Sequence, residues 1–247
     1  MRFLGSRLLW HSGLCSLFTI SCGSYRLHFY PTALSATLWL DPTERLGDEA
    51  HLKKLLRRDD VVIDVGANIG TLTLTAAEIV GTFGKVYSIE AHPRTHQYLI
   101  GNLRLNRFTN IETFNVACGA NNGLIHFSDE VCDDQNRISA NGITVPVQRL
   151  DELLPASEAA EIALLKIDVE GYEKFVLEGA SGLLPRVKFI YFESYERHFA
   201  EFGYKLRDIT NFLEAFGFNV YHLNGKRVSK DYDSAVCENL LARRSVV

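Results

Sequence analysis

The chain has 247 residues, of which 47% are hydrophobic, and a formal net charge of −4. That is enough apolar material for one substantial core, and the mildly acidic balance leaves no electrostatic footprint for nucleic acid. Five cysteines, odd in number and without a Cys-x-x-Cys pair, argue against a disulfide framework or a zinc site and for reduced thiols in a cytoplasmic protein.

At the amino terminus, Arg2 and Arg7 precede Leu8-Leu9-Trp10 and a run from Cys15 to Cys22 that loosely imitates a signal peptide. His11, Ser12 and Gly13 interrupt it, so no apolar stretch of ~18 residues is available to span a membrane. The expectation is a short helix or strand packed on the main domain. Residues 1–58 read as a lead-in: a strand over 25–30, a break at Pro31, and a helix over 44–57. Lys53, Lys54, Arg57 and Arg58 form a solvated face of that helix. A single catalytic domain then occupies 59–247, with Cys118 and Cys237 expected in or near its core.

The most informative stretch follows. Val61-Val62-Ile63-Asp64-Val65 is a β-favouring run that enters the turn Gly66-Ala67-Asn68-Ile69-Gly70, and a helix-forming segment begins at Thr71. Strand, glycine loop and helix in this order form the entry of a nucleotide-binding α/β domain, where free N–H groups at the helix start face a ligand. The spacing is Asp-x-Gly-x-x-x-Gly, not the Gly-x-Gly-x-x-Gly that receives a dinucleotide pyrophosphate. An acid at the strand end repels a pyrophosphate and welcomes an ammonium, such as that of S-adenosylmethionine. Lys85-Val86-Tyr87-Ser88-Ile89-Glu90 reads as the second strand, and Glu90 lies 20 residues after Gly70, near the usual place of a ribose-binding acid.

Further strands are expected at 111–116, 162–168, 188–194, 219–223 and 237–243, with helices near 70–80, 94–106, 172–180 and 205–216; Gly217 closes the last helix. This alternation predicts a mostly parallel seven-stranded sheet covered on both faces. Between the third and fourth strands, 123–128 and 143–147 read as a β-hairpin insertion. The polar loop 129–137 between them is expected near the substrate.

Asp-Val-Gly-Ala-Asn-Ile-Gly at 64–70, Ile-Glu-Ala-His-Pro at 89–93, Asn-Leu-Arg-Leu-Asn at 102–106 and Leu-Leu-Lys-Ile-Asp-Val-Glu-Gly-Tyr-Glu at 164–173 together resemble the FkbM family of S-adenosylmethionine-dependent methyltransferases. The similarity runs over roughly three quarters of the chain, from 59 to the 238–242 strand. One departure is Glu90-Ala91-His92-Pro93, where the family more often has Glu-Pro directly; the acid itself is kept. The resemblance implies a Rossmann-like class I methyltransferase fold, S-adenosyl-L-methionine as cofactor, and transfer to a hydroxyl oxygen of a small molecule, sugar or glycan. The residues alone would equally allow nitrogen. The competing readings are an NAD-binding Rossmann oxidoreductase and a cofactor-binding partner subunit without chemistry.

With the strand order of methyltransferases, Glu90, Asp64, Asp168 and Glu193 line up along the carboxyl edge of the sheet. Asp64 is assigned to the methionine end of the cofactor, with Gly66, Ala67 and Gly70 allowing close backbone approach and Asn68 either bracing that loop or bonding the carboxylate. Glu90 takes the ribose hydroxyls and Ala117 borders the adenine. Asn115 either bonds the adenine edge or is satisfied by the backbone. Lys166, Asp168 and Glu170 share a strand parity. Lys166 is expected to pair with Asp64 or Glu193, while Asp168 and Glu170 are the candidate catalytic carboxylates, Glu170 alternatively capping the next helix. Histidines 92, 126, 198 and 222 read as surface or core residues. The carboxylates would suit a hard divalent cation, yet no residue is assigned as a metal ligand.

Overall fold

The computed structural model describes residues 14–128, 138, 142–154, 161–230, 232–233 and 235–244. Expectations for the first 13 residues, the polar loop 129–137 and Cys132 lie outside them. The described chain opens with a hairpin of Thr19–Cys22 (β1) and Tyr25–His28 (β2), followed by helices Ala33–Leu40 (α1) and Leu46–Leu55 (α2). Ile20, Cys22, Tyr25 and Leu27 alternate inward, as a half-buried hairpin requires, and pack with Phe29, Leu38, Ile69 and Leu74. Helix α2 is shorter than the expected 44–57, because Leu56 turns extended and the Arg57 N–H bonds Asp60 at 2.7 Å.

The main domain continues as Val61–Val65 (β3), Thr71–Val80 (α3), Lys85–Ile89 (β4), Pro93–Asn106 (α4), Ile111–Phe114 (β5), Ala117–Cys118 (β6), Gly123–Phe127 (β7), Ile143–Gln148 (β8), Leu150–Leu153 (α5), Ile162–Ile167 (β9), Glu173–Gly179 (α6), Val187–Ser194 (β10), Glu196–Glu201 (α7), Leu206–Ala215 (α8), Phe218–His222 (β11) and Glu238–Arg244 (β12). The seven-stranded sheet runs β5-β4-β3-β9-β10-β12-β11. All neighbours are parallel except β12, which is antiparallel to both β10 and β11. This is the expected Rossmann-like class I methyltransferase architecture. The inserted strands β7 and β8 form the expected hairpin and join β6 in a separate three-stranded sheet.

Every residue of β9 is buried, so its run, apolar except for Lys166, reads as a central parallel strand with helices on both faces. Helix α8 buries Leu206, Ile209 and Leu213, one stripe at helical spacing, against the core of β9, β10 and β12. On the opposite face, α2 and α3 cover Val62, Val86 and Leu164.

Helix α4 fixes the lead-in to this frame. Asn102 Oδ1 accepts the His28 N–H and Asn106 Oδ1 the Arg26 N–H, both at 2.8 Å, closing one edge of β2 with side chains; an open edge is otherwise a template for foreign strands. Asn102 Nδ2 also donates to the Ile69 carbonyl at 2.8 Å, tying the hairpin to the glycine loop. Among the described residues no helix is long and apolar enough to cross a membrane.

Candidate active site

A cleft of about 400 Å³ opens at the carboxyl ends of β3, β4, β9 and β10, where an open parallel sheet binds its ligand. Its floor is the loop after β3. Gly66 has φ +80°, and a Cβ there would lie 1.8 Å from the Asp168 carbonyl oxygen, so only glycine lets the ends of β3 and β9 approach. Gly66, Ala67 and Asn68 line the cleft. Asn68, at φ +51°, has its Oδ1 accepting the Ile69 N–H at 2.7 Å, the geometry of the bracing alternative.

Two of the expected ligand-facing positions do otherwise. Gly70 does not line the cleft; it faces α4, where a Cβ would meet Leu99 at 2.6 Å. Asp64 is 2% exposed, also off the cleft lining, and is held by Lys166 Nζ at 3.1 Å and the Thr73 hydroxyl at 2.6 Å. Its register partner across the β3–β9 ladder is Lys166, so the carboxylate is claimed from within. Lys166 also donates to the Gly66 carbonyl at 2.7 Å and lies 3.6 Å from Asp168. Burial works against its charge, but Asp64 and Asp168 outweigh burial and hold its pKa above the ordinary lysine value. The lysine therefore joins loop, strand and cleft.

Glu90 lines the cleft at the end of β4, 8% exposed. Its two oxygens accept the Asn68 N–H at 2.8 Å and the His92 N–H at 2.9 Å. A carboxylate at this position can accept hydrogen bonds from hydroxyls such as those of a ribose. Ala117 lines the adjoining wall with Val116 and Cys118, an apolar surface fit for a flat base. Asn115 is not turned to it, because its Nδ2 donates to the Glu90 and Ala91 carbonyls at 2.9 and 3.0 Å; the backbone reading holds there.

The far end of the cleft carries Asp168, Glu170 and Glu193. Strand β9 stops at Ile167 and Glu170 takes φ +55°, so the expected parity ends at Asp168. The N-cap of α6 is Tyr172, with no side-chain cap bond of its own. Glu173 instead holds the preceding turn, its Oε1 accepting the Val169 and Gly171 N–H groups at 3.1 and 3.3 Å; burial pushes its pKa up to about 8. Glu170 Oε2 instead lies 3.3 Å from His198 Nδ1, and Glu193 Oε2 is 4.0 Å from the same atom. Glu193 Oε1 accepts the Cys237 S–H at 3.1 Å. Burial first, then Asp168, pushes the Glu193 pKa up to about 7. Cys237 is thus an exposed thiol beside Glu193 rather than a core residue, while Cys118 is buried as expected. Among the described residues, Glu170, Glu193 and His198 bring carboxylate and imidazole atoms within 4.8 Å of one another, close enough to hold a metal ion.

Sequence reasoning read His198 as a surface or core residue and passed over Arg45 and Asp48 of the lead-in, which form one wall. Asp48 Oδ1 accepts the Tyr191 hydroxyl at 2.7 Å and Asn239 Nδ2 at 3.3 Å, and Asp48 Oδ2 accepts Arg45 at 3.0 Å. These bonds anchor α2 to β10 and β12. No local pattern marks the bonds to Tyr191 and Asn239, because those partners are distant in sequence.

The Methyltransferase FkbM domain family matches residues 64–220. A hexuronic acid methyltransferase of Haloferax volcanii, AglP, is 30% identical over 173 residues, covering 68% of this chain and 68% of that protein. Among solved structures, a putative rRNA methylase from Clostridium thermocellum superposes with a TM-score of 0.52 at 12% identity, over 81% of this chain and 97% of its own. An FkbM methyltransferase from Methylobacillus flagellatus KT gives 0.51 at 17% identity, over 85% of this chain and 54% of its own. At such identities the superpositions speak for the fold alone.

Proposed function

The chain belongs to the FkbM family of S-adenosylmethionine-dependent methyltransferases, and from that premise we propose that its acceptor is a hydroxyl oxygen of a saccharide. The observation that carries this reading is the series of carboxylates at the ends of adjacent strands. Glu90 stands at the cofactor end, and Asp168, Glu170 and Glu193 at the other. Carboxylates accept hydrogen bonds from hydroxyls, and the half-buried ring of Tyr172 beside them offers an apolar face to a sugar ring. The hexuronic acid named for the Haloferax volcanii relative is a saccharide of this kind.

S-adenosylmethionine supplies an activated methyl group on a sulfonium, so the protein's task is alignment and proton removal. Gly66, Ala67 and Asn68 form the floor beneath the methionine portion, Glu90 receives the ribose hydroxyls, and Ala117 borders the adenine. The cleft fits a cationic ligand: its described walls carry Glu44, Asp48, Glu90, Asp168, Glu170 and Glu193 against Arg45 and Lys166. Asp64 acts indirectly, holding Lys166, which in turn holds the Gly66 carbonyl. Asp168 takes the acceptor proton as the oxygen–carbon bond forms, and Glu170 orients the neighbouring hydroxyl.

The test is methyl transfer from labelled donor to uronic acid-containing and neutral oligosaccharides, with the product's methylated atom identified. Asp168→Asn should keep S-adenosylhomocysteine affinity and lower single-turnover rate by roughly 10²–10⁴. Transfer to nitrogen, or near-normal turnover in that variant, would refute the reading.

A further inference from the structure

We propose that Glu170, Glu193 and His198 form a divalent-cation site at the acceptor end of the cleft, occupied by a first-row ion such as Mn²⁺ that binds acceptor oxygens. The three side chains come from three separate places: the turn after β9, the end of β10 and helix α7. His198 Nδ1 lies 3.3 Å from Glu170 Oε2 and 4.0 Å from Glu193 Oε2, and all three ligand atoms fit within 4.8 Å. Ligands about 2.1 Å from a shared ion sit roughly 3 Å apart when adjacent and roughly 4.2 Å apart when opposite. The two separations from His198 fall inside that range and the two carboxylates lie within 4.8 Å of each other, so a modest rotamer adjustment closes the shell.

The backbone holds this grouping together. A Cβ at Gly171 would meet the His198 carbonyl oxygen at 2.9 Å, so α7 packs directly on the turn that carries Glu170. Glu193 presents one oxygen to the Cys237 thiol and the other towards His198. The other cleft cations are committed elsewhere: Arg45 contacts Asp48 and Lys166 bridges Asp64 and Asp168. One imidazole with two carboxylates suits a first-row ion that accepts nitrogen beside oxygen better than Ca²⁺ or Mg²⁺, which favour oxygen ligands throughout. Three protein ligands leave open positions, which two vicinal hydroxyls of a sugar can fill as a chelate. A hydroxyl on the ion loses its proton more readily, and Asp168 lies on the same cleft to receive it.

Binding of the ion stands on the ligand geometry alone, whereas its contact with the acceptor rests on the saccharide hydroxyl reading. The full chain, stripped with a chelator, is titrated with Mn²⁺ while free ion is followed by electron paramagnetic resonance. S-adenosylhomocysteine affinity is measured on the same samples. One Mn²⁺ per chain is expected, weakened about 10-fold or more in His198→Ala and in Glu193→Gln and unchanged in Glu112→Gln, on exposed surface outside the cleft. Unaltered S-adenosylhomocysteine affinity shows that each variant is folded. Failure of the wild type to bind Mn²⁺ at millimolar concentration, or equal binding by His198→Ala, overturns the site and leaves the imidazole as the centre of an ion triple. Mn²⁺ that binds as described but leaves saccharide methylation insensitive to chelation keeps the site and removes the acceptor contact.

Discussion

Replacing Lys166 with methionine tests the internal bracing of the cleft. Its side chain is 7% exposed and that of Asp64 3%, so the pair is buried on both sides. Without the ammonium, Asp64 retains the Thr73 hydroxyl as donor and the Gly66 carbonyl loses its only side-chain donor among the described residues. Breaking a buried pair from one side costs about 3–5 kcal/mol, because the remaining charge is left uncompensated. At about 2–4 °C per kcal/mol for a chain of this length, the melting temperature should fall by roughly 6–20 °C. Urea unfolding of Lys166→Met, Asp64→Asn and the double variant gives the coupling directly. The double variant should recover at least ~1.5 kcal/mol relative to additivity, since no lone charge then remains. A loss below ~1 kcal/mol in Lys166→Met, or strict additivity, would refute the bracing account. A stable Lys166→Met protein that binds S-adenosylhomocysteine normally yet does not turn over would make the lysine catalytic instead.

Glu90→Ala should weaken S-adenosylhomocysteine by about 1–3 kcal/mol through lost charge-assisted bonds, measured by calorimetry; unchanged affinity would mean that Glu90 serves only the Asn68 and His92 N–H groups. Gly66→Ala places a Cβ against the Asp168 carbonyl at a left-handed φ and should cost more than about 2 kcal/mol, with cofactor binding lost in parallel; a stable, binding variant would show that the ends of β3 and β9 separate freely. Glu173 is protonated in the folded state up to about 8 but ionises near 4.5 when unfolded. Between those values the folded chain holds the extra proton, so this group makes stability fall as pH rises. Glu173→Gln should therefore lose less stability than wild type between pH 5.5 and 8 by urea unfolding, and parallel pH profiles would contradict the assignment.

The strands and the order of the carboxylates were legible because each rests on a local pattern. The apolar run of β9, the glycine turn after Val65 and the acid ending each of β3, β4 and β10 are visible without knowing what lies opposite. Glu90 and Ala117 line the cleft where strand position alone puts them. What escaped is whatever depends on a partner distant in sequence. Asp48 reaches Tyr191 across 143 residues and Asn239 across 191. The wall built by the lead-in is therefore invisible to any window along the chain.

Asp64 and His198 mark the same boundary from opposite sides. Read alone, an acid at a strand end faces a ligand. In the ladder it stands opposite Lys166, and a lysine inside a fully buried strand must find a carboxylate, since an uncompensated buried charge is costly. The lysine thus decides the role of the aspartate, and the register that joins them is a property of the sheet. His198 is reached differently. Period-2 extrapolation past Ile167 leaves Glu170 beside Asp168, but the left-handed backbone at Glu170 turns its carboxylate to α7. A non-glycine residue with positive φ is uncommon and carries little signature of its own; here the following Gly171, also left-handed at φ +99°, was the one local sign that the strand could not continue. The break in strand parity brings Glu170 to His198, so the feature that defeated the sequence reading is also the one that assembles the far end of the cleft.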